Sequence, residues 1–298
     1  MLTELQAAGC AFSIEISGGR RIQPRNLLDL DLPGEAADTV WRITVLSDPG
    51  VQHPAPPGWS GSAGQRSFHG DGFVVEFKDR TAQARHDPSR AGAAFAAAQA
   101  AVFSALRRES RADLHAAAIV PTESAGAIVL VGESGHGKST LTLRAITAGW
   151  GFLSDDLIAV FNDDAGALAL APLRRTLRVA ESAFFLLPET ARAGQWNTET
   201  PRKMIVDPEA CGLGHRHSRA RPGRLVFLER GDSKRSRTIS GGASFERLML
   251  HSPHLAFDPD AKPAIEALRR LANEVPAAIA SLTLDSLHDV ATLEDLLA

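Results

Sequence analysis

A glycine-rich segment between an apolar strand and a helix constrains the fold of this chain more than any other feature. Residues 132–139 read GESGHGKS and match the pattern G-x-x-x-x-G-K-[ST] at every fixed position. The preceding residues, Ala127–Val131, predict a buried strand, and residues 139–148 predict a helix. A strand, a loop and a helix in this order are the context in which the pattern binds phosphate. The alternative is an ordinary glycine-rich turn that joins a strand to a helix.

Each residue type in the loop has a chemical reason. Glycines allow backbone turns that bring successive N–H groups onto phosphate oxygens, and the helix that follows points its positive end at the anion. The lysine provides a cation near the β and γ phosphates, and the serine offers its hydroxyl to Mg²⁺. The sequence therefore predicts a site for ATP and Mg²⁺ made of Gly132, Glu133, Ser134, Gly135, His136, Gly137, Lys138, Ser139 and Thr140.

Two adjacent carboxylates, Asp155 and Asp156, follow the loop after one predicted helix and a turn. One could hold Mg²⁺ while its neighbour accepts a proton from an attacking hydroxyl, and the two should titrate as a coupled pair. The alternative is a solvated Asp-Asp turn. The short interval from Lys138 argues against motor and transporter ATPases, and the absence of an N-K-x-D element argues against a GTPase. His115 lies in an apolar stretch, where a lone histidine is more often a core residue.

The rest of the chain divides into two parts by pattern. Residues 1–88 alternate apolar and polar positions in short runs between turns, which predicts a β-rich segment for structure or substrate docking. Residues 91–109 predict an alanine-rich buried helix. From residue 114 onward, strands alternate with helices, beginning with a buried strand at residues 114–120, so residues 89–298 predict one α/β domain. Residues 213–224 are basic and turn-rich and predict a mobile surface loop, and residues 290–297 predict a helix.

Composition narrows the partners. The net charge of −3 and the hydrophobic content of 44% are those of an ordinary globular protein, so neither a nucleic-acid nor a membrane partner is expected. No apolar run approaches the roughly 20 residues of a membrane-spanning helix, and no secretory signal is recognisable. Two distant cysteines predict no disulfide framework, which favours the cytoplasm. Cys211, His215 and His217 match no common zinc spacing.

Three stretches together carry a family resemblance. Leu114-His115-Ala116, the loop at residues 132–139, and Leu153-Ser-Asp155-Asp156 resemble the C-terminal kinase domain of HPr kinase/phosphorylase and its relatives, which include HPr-kinase-like enzymes that modify lasso peptides and free serine. The resemblance covers roughly residues 112–298. It implies an α/β fold with a P-loop kinase core of the phosphoenolpyruvate-carboxykinase/HPr-kinase type and a mixed sheet, preceded here by the β-rich segment. It also hints at a homo-oligomer.

The resemblance implies a role for each matching residue. Lys138 binds phosphates, Ser139 and Asp156 hold Mg²⁺, and Asp155 is the base that activates an acceptor hydroxyl. His115 lies near the transferred group and helps to orient the acidic pair. True HPr kinases carry a Glu-Ile-Arg-Gly-Leu-Gly signature downstream, whereas residues 177–184 read LRVAESAF. Neither HPr as the substrate nor the reverse phosphorolysis therefore follows from the resemblance.

A phosphoryl group in transit needs further positive charge. Lys203 is the first candidate as an additional catalytic cation, and the other basic residues nearby in sequence are Arg202, Arg221 and Arg224. The sequence thus predicts a Mg²⁺-dependent kinase that moves the γ-phosphoryl group of ATP to a serine-type hydroxyl on a peptide or carrier protein. A kinase of a small hydroxyl compound such as free serine, and a nucleotide-binding regulator with little turnover, stay open as alternatives.

Overall fold

The computed structural model describes residues 2–17, 39–51, 57–62, 65–122, 126–191, 195–196 and 203–283. It divides into two compact units. The first runs to Ala112 and includes the later stretch His254–Ile265. The second comprises Asp113–Pro253 and the residues from Glu266 onward. The predicted boundary at residue 88 differs from this division because the alanine-rich helix packs on strands of the first unit.

The first unit is built on a mixed sheet. Its described strands are β1 (Leu2–Ala7), β2 (Cys10–Ser17), β3 (Thr39–Ser47), β4 (Gly58–Ser62), β5 (Gln65–Gly70), β6 (Phe73–Lys78) and β7 (Thr81–His86), in the order β1-β2-β3-β7-β6-β5-β4. Helix α1 (Ala93–Arg108) packs on this sheet through alanines, among them Ala97 and Ala101, which have no exposed surface. The alanine-rich helix that the sequence predicts at residues 91–109 is therefore found at Ala93–Arg108, with small side chains against the sheet.

The second unit contains a larger mixed sheet. Its described strands follow the order β11-β9-β10-β17-β19-β18, where β9 is Ala116–Val120, β10 Ala127–Val131, β11 Gly151–Ser154, β17 Pro222–Arg230, β18 Arg235–Thr238 and β19 Ala277–Leu282. Strands β10, β17 and β19 run parallel, and every residue of β10 is buried. Continuous apolar strands of this kind are typical of parallel strands covered on both faces. The mixed α/β character expected from the sequence is confirmed.

Two smaller sheets complete the second unit among the described residues. One has the order β13-β12-β8, with β8 at Ala112–Leu114, β12 at Ile158–Asn162 and β13 at Leu168–Pro172. The other has the order β14-β16-β15, with β14 at Leu177–Ala180, β15 at Gln195–Trp196 and β16 at Lys203–Val206. Short 3-10 helices span Glu181–Leu186 and Glu189–Ala191.

Four more helices are described: α2 (Lys138–Thr147), α3 (Gly241–Leu250), α4 (Pro253–Phe257) and α5 (Lys262–Glu274). Helix α2 has apolar side chains on two sides. Leu141 and Ala145 pack with the larger sheet, whereas Leu143 and Ile146 pack with the sheet of β14 and β16. Helix α2, which begins at Lys138, is therefore packed between these two sheets. Within the described residues no helix is long and apolar enough to cross a membrane.

Two sequence expectations need correction. The stretch predicted as a single strand at residues 114–120 is interrupted at His115, whose backbone N–H donates to His251 O at 3.0 Å. The basic segment predicted as a mobile loop is joined to the second unit by backbone hydrogen bonds, because Phe152 N–H donates to His215 O and Leu170 N–H to Ala220 O. The helix predicted at residues 290–297 lies outside the described residues.

Candidate active site

The glycine-rich loop connects β10 to α2, and backbone conformation or lack of space explains why each of its glycines is needed. Gly135 and Gly137 adopt φ values of +86° and +95°, in the left-handed region that favours glycine. Gly137 is also the residue that caps α2. At Gly132 a Cβ would lie 2.9 Å from Leu228 O on the adjacent strand β17, so a side chain has no room there. Within the loop, His136 N–H donates to Glu133 O at 3.2 Å.

Two cations rest on the carbonyls of this loop. The Lys138 ammonium is buried and donates to Gly132 O and, at 3.2 Å, to Glu133 O. Burial lowers the pKa of Lys138, against the opposing charges of the acidic pair. Arg230, the last residue of β17, donates from Nε to Gly135 O at 3.2 Å. The loop therefore carries positive charge from two different elements.

The turn after β11 presents the two aspartates. Ser154 ends β11, is fully buried, and donates from Oγ to Leu157 O at 2.8 Å; the same Oγ lies 3.0 Å from Arg174 O. A buried hydroxyl between two carbonyls ties both sides of the turn together. Asp155 and Asp156 follow directly, so their positions depend on the strand and on this hydroxyl.

Asp155 is buried, with 1% of its surface exposed. Its Oδ2 accepts a hydrogen bond from Arg178 N–H at 3.0 Å, and its Oδ1 has no hydrogen-bond partner among the described residues. Burial raises the pKa of Asp155 to about 6; the Arg178 N–H, the Ser139 side chain and the charge of Lys138 act in the opposite direction. A carboxyl that ionises near neutral pH is thus held against the start of α2.

The pKa of Asp156 is shifted in the opposite direction. Its side chain is 25% exposed, forms an ion pair with Arg174, and lies 3.3 Å from His115 Nδ1 through Oδ1. Burial acts to raise the pKa of Asp156, but the charges of Arg174, His115, Arg178 and Lys138 together lower it below the ordinary value. Burial lowers the pKa of His115, so its ring is neutral at neutral pH. The two neighbouring carboxyl groups therefore differ in charge state around pH 5 to 6.

These groups meet at a cavity of about 410 Å³, which we name the basic cavity. It is lined by loop and helix residues Ser134, Gly135, Gly137, Lys138, Ser139 and Thr140. Four basic side chains (Lys138, Arg178, Lys203 and Arg230) also line it, together with His115 and Asp156. Such a cluster of cations around backbone N–H groups at a helix N-terminus suits an anion with several charges.

The structure brings most of the predicted site residues to this cavity. Lys203, the first residue of β16, reaches it because it pairs with Ala180 at the end of β14. Asp155 lies beneath the wall without lining it. Gly132, Glu133 and His136 instead line a second cavity on another side of the loop, and Ser134 lines both.

The other predicted cations have different positions. Arg224 lies near the start of β17, six residues before Arg230 and roughly 20 Å away along the strand. Arg221 is 67% exposed and lies 4.0 Å from Asp163, and neither arginine lines the basic cavity. Arg202 lies outside the described residues. Arg230 was not predicted from the sequence. Its only local signal is that the apolar run at residues 225–228 is followed by charged residues, and its place beside the loop depends on the pairing of β17 with β10.

The oxygen atoms near the loop suit a magnesium ion. Ser139 offers a hydroxyl, Asp156 an ionised carboxylate, and Asp155 a buried oxygen without a partner, and oxygen ligands are those that Mg²⁺ prefers. Mg²⁺ at phosphate sites uses one or two carboxylates together with phosphate oxygens. In the described part of the chain, no group of three or more His, Cys, Asp or Glu side chains is arranged to hold a metal by itself, and this includes the Cys211 segment.

Comparisons with known proteins add a distant structural likeness. No protein-family model matches the chain, and no curated protein matches it. Among solved structures, the chain is similar to the Hpr(Ser) kinase/phosphatase from Coxiella burnetii. The sequence identity is 16% and the TM-score is 0.33, and the match covers 62% of this chain and 93% of the other. A likeness this distant supports no function for this chain.

Proposed function

We propose that this protein is a Mg²⁺-dependent kinase that transfers the γ-phosphoryl group of ATP to a serine-type hydroxyl on a peptide or protein. The observation that carries the proposal is the basic cavity, where a glycine-rich loop, four cations and Asp156 meet, with the buried Asp155 next to Asp156 in the chain. A cavity for anion binding alone needs no carboxyl group with a pKa near neutrality beside it. Asp155, with its pKa raised to about 6, provides one.

The cations provide binding and charge stabilisation. The backbone N–H groups of residues 134–139 and the Lys138 ammonium would hold the polyphosphate, with Lys138 turning from the loop carbonyls to phosphate oxygens. Lys203 and Arg230 line the same cavity and would neutralise charge on the phosphoryl group as it moves. Stabilisation of this kind by fixed cations is the main contribution of a protein to phosphoryl transfer.

The two aspartates divide the remaining work. A general base works best when its pKa lies near the working pH, which favours Asp155 as the acceptor of the hydroxyl proton. Asp156 stays ionised, and with Ser139 it would hold Mg²⁺, which when bound neutralises charge on the phosphate oxygens. His115 lies against Asp156 and would position it as a neutral ring. Because Asp155 is buried, the acceptor hydroxyl would have to reach below the surface of the basic cavity.

The first experiment measures binding. Calorimetry with Mg²⁺ and the non-hydrolysable β,γ-imido analogue of ATP should show binding by the wild-type protein. Lys138→Ala should lose most of that affinity. Lys262→Ala removes an exposed lysine of the first unit and serves as the matched control. Absence of binding by the wild-type protein would refute the proposed function.

The second experiment identifies the acceptor. The protein is incubated with Mg-ATP and either peptide extracts or a panel of small hydroxyl compounds, and products are identified by mass spectrometry. Phosphorylated serine in peptides supports the proposal, whereas phosphorylation of free serine or a similar compound supports the small-molecule alternative. Tight nucleotide binding without acceptor-dependent ADP release would instead make the protein a nucleotide-binding regulator.

A further inference from the structure

The loop borders a second, larger cavity of about 720 Å³, which we name the mixed cavity. The loop side of it is formed by Gly132, Glu133, Ser134 and His136. The other walls come from β17, β19 and α3 of the same unit. Ser134 lines both cavities, so the loop borders the mixed cavity as well as the basic cavity.

The lining of the mixed cavity combines an apolar floor with a few polar groups. Phe227, Leu228 and Ile279 form buried parts of the floor. Leu250, at the end of α3, is 76% exposed although it lines the cavity. Arg247 lies over the Phe227 ring at 5.8 Å and pairs with Glu229 at 2.8 Å. Pockets for organic ligands commonly have this size and combine apolar walls with a few polar groups.

The two cavities differ in charge. The basic cavity has four basic side chains against one carboxylate at its surface, whereas the mixed cavity has three glutamates (Glu133, Glu229 and Glu246) against two arginines. A polyphosphate is therefore favoured in the basic cavity and disfavoured in the mixed one. Carboxylates accept hydrogen bonds from hydroxyl and amino groups, so the mixed cavity suits a neutral organic group that carries such donors.

We propose that the mixed cavity holds the nucleoside part of the phosphoryl donor. This inference rests on the proposed function. Asp156, His115 and Lys203 line the basic cavity, and the buried Asp155 directly precedes Asp156, so under the proposed function the phosphoryl group and its acceptor meet there. The remainder of the donor then has to leave the loop on another side, and the Gly132–His136 side opens onto a cavity large enough for a base and a ribose.

The proposal makes the donor a nucleotide and excludes inorganic polyphosphate as an equal substitute. The floor would contact the base, and Glu246, exposed on α3, would accept hydrogen bonds from ribose or amino groups. We expect the wild-type protein to bind the β,γ-imido analogue of ATP at least about tenfold more tightly than tripolyphosphate, both with Mg²⁺, a difference of about 1.4 kcal/mol.

The test uses a variant that fills the mixed cavity. Ala243 lines it on α3, and Ala243→Phe should weaken binding of the ATP analogue about tenfold while the affinity for tripolyphosphate changes less than about twofold. Gly242→Phe is the matched control: it places the same ring at the neighbouring position, where a Cβ meets nothing within 4 Å and which does not line the cavity. Glu246→Gln, a conservative surface change, should weaken only the ATP analogue, to a smaller extent.

The outcomes separate this inference from the function on which it rests. Unchanged affinity of Ala243→Phe and Glu246→Gln for the ATP analogue would overturn the nucleoside site. An equal loss of affinity for the ATP analogue and for tripolyphosphate would overturn it as well. If the wild-type protein binds tripolyphosphate as tightly as the ATP analogue, the nucleoside site is also wrong, although the loop still binds phosphate. If it binds neither probe, the proposed function itself fails.

Discussion

Two buried aspartates, one in each unit, differ in their hydrogen bonds and ion pairs. In the first unit, Asp258 is 4% exposed, and its Oδ2 lies 3.2 Å from Ser104 Oγ and 3.4 Å from Arg107 Nη1. Its Oδ1 accepts from Asp260 N–H at 3.0 Å. In the second unit, Asp155 is 1% exposed, its Oδ2 accepts a hydrogen bond from Arg178 N–H, and its Oδ1 has no hydrogen-bond partner within the described part of the chain.

Under the proposed function, the difference separates a structural aspartate from a catalytic one. Burying a charge is unfavourable unless opposite charges and hydrogen bonds compensate for the lost water. Asp258 has both a cation and hydrogen-bond donors as partners. Asp155 faces a helix start and a buried lysine that has its own carbonyl partners, and its pKa rises to about 6. A residue kept in such surroundings points to a role in chemistry.

The largest effect is expected from Asp155→Asn on phosphoryl transfer. Loss of a general base typically lowers the rate by about 10²–10⁴-fold. In the wild-type protein the rate should rise as the pH increases through about 6, because Asp155 must be ionised to accept a proton. The pH dependence of the transfer rate, measured once an acceptor is known, tests whether the rate rises in this range. A profile that stays flat between pH 5 and 7 would contradict the assignment, and so would full activity of the variant.

The next effect concerns Asp258 and is purely structural. Asp258→Ala removes the carboxylate that pairs with the buried Arg107 guanidinium, and breaking one side of a buried ion pair costs about 3–5 kcal/mol of stability. Urea denaturation at pH 7.5 measures the loss, with Asp164→Ala, an exposed turn residue, as the control. Affinity for the ATP analogue should not change in the folded variant. A loss below about 1 kcal/mol would remove the contrast between the two aspartates.

The sequence indicated the functional half of this comparison and not the structural half. The loop at residues 132–139 and the Asp155–Asp156 pair follow local patterns, because a strand end and a helix start bring consecutive residues to one place. The Asp258 ion pair joins residues more than 150 positions apart, and no local pattern encodes it. The same limit explains why Arg230 was missed, since its place depends on which strand lies beside β10.

A third prediction concerns the free energy of unfolding, which the buried charge of Asp155 lowers at neutral pH. Because its pKa is higher in the folded state than the ordinary 3.8, its contribution to stability is complete below about pH 4 and is lost as the pH rises through about 6. Asp155→Asn removes the charge and should therefore stabilise the protein without Mg²⁺ at pH 7.5, by up to roughly 3 kcal/mol.

The control for this prediction is its neighbour. The pKa of Asp156 is lowered, so its ionised form stabilises the fold at neutral pH, and that contribution is lost as the pH falls toward the lowered pKa. Asp156→Asn should consequently destabilise the protein at pH 7.5. Urea denaturation of both variants at pH 4 and pH 7.5 gives the comparison. Equal signs for the two substitutions at pH 7.5 would show that the two carboxyl groups do not differ as described.

The smallest predicted effect belongs to Arg230, which holds the loop from an exposed position on β17. Its charged hydrogen bond to Gly135 O, and its place at the basic cavity, should together contribute about 1.5 kcal/mol to binding of the Mg²⁺–ATP analogue, or roughly tenfold in affinity. Arg230→Gln should show this loss by calorimetry, and Arg235→Gln, an exposed arginine on β18, should not. Arg230→Lys keeps the charge but loses the planar fork, so an intermediate affinity is expected. If Arg230→Gln binds like the wild-type protein, Arg230 contacts the loop without contributing to nucleotide binding.

The cations that act on phosphate would then be Lys138 and Lys203, which the sequence predicted, with Arg178 as the remaining basic side chain at the cavity.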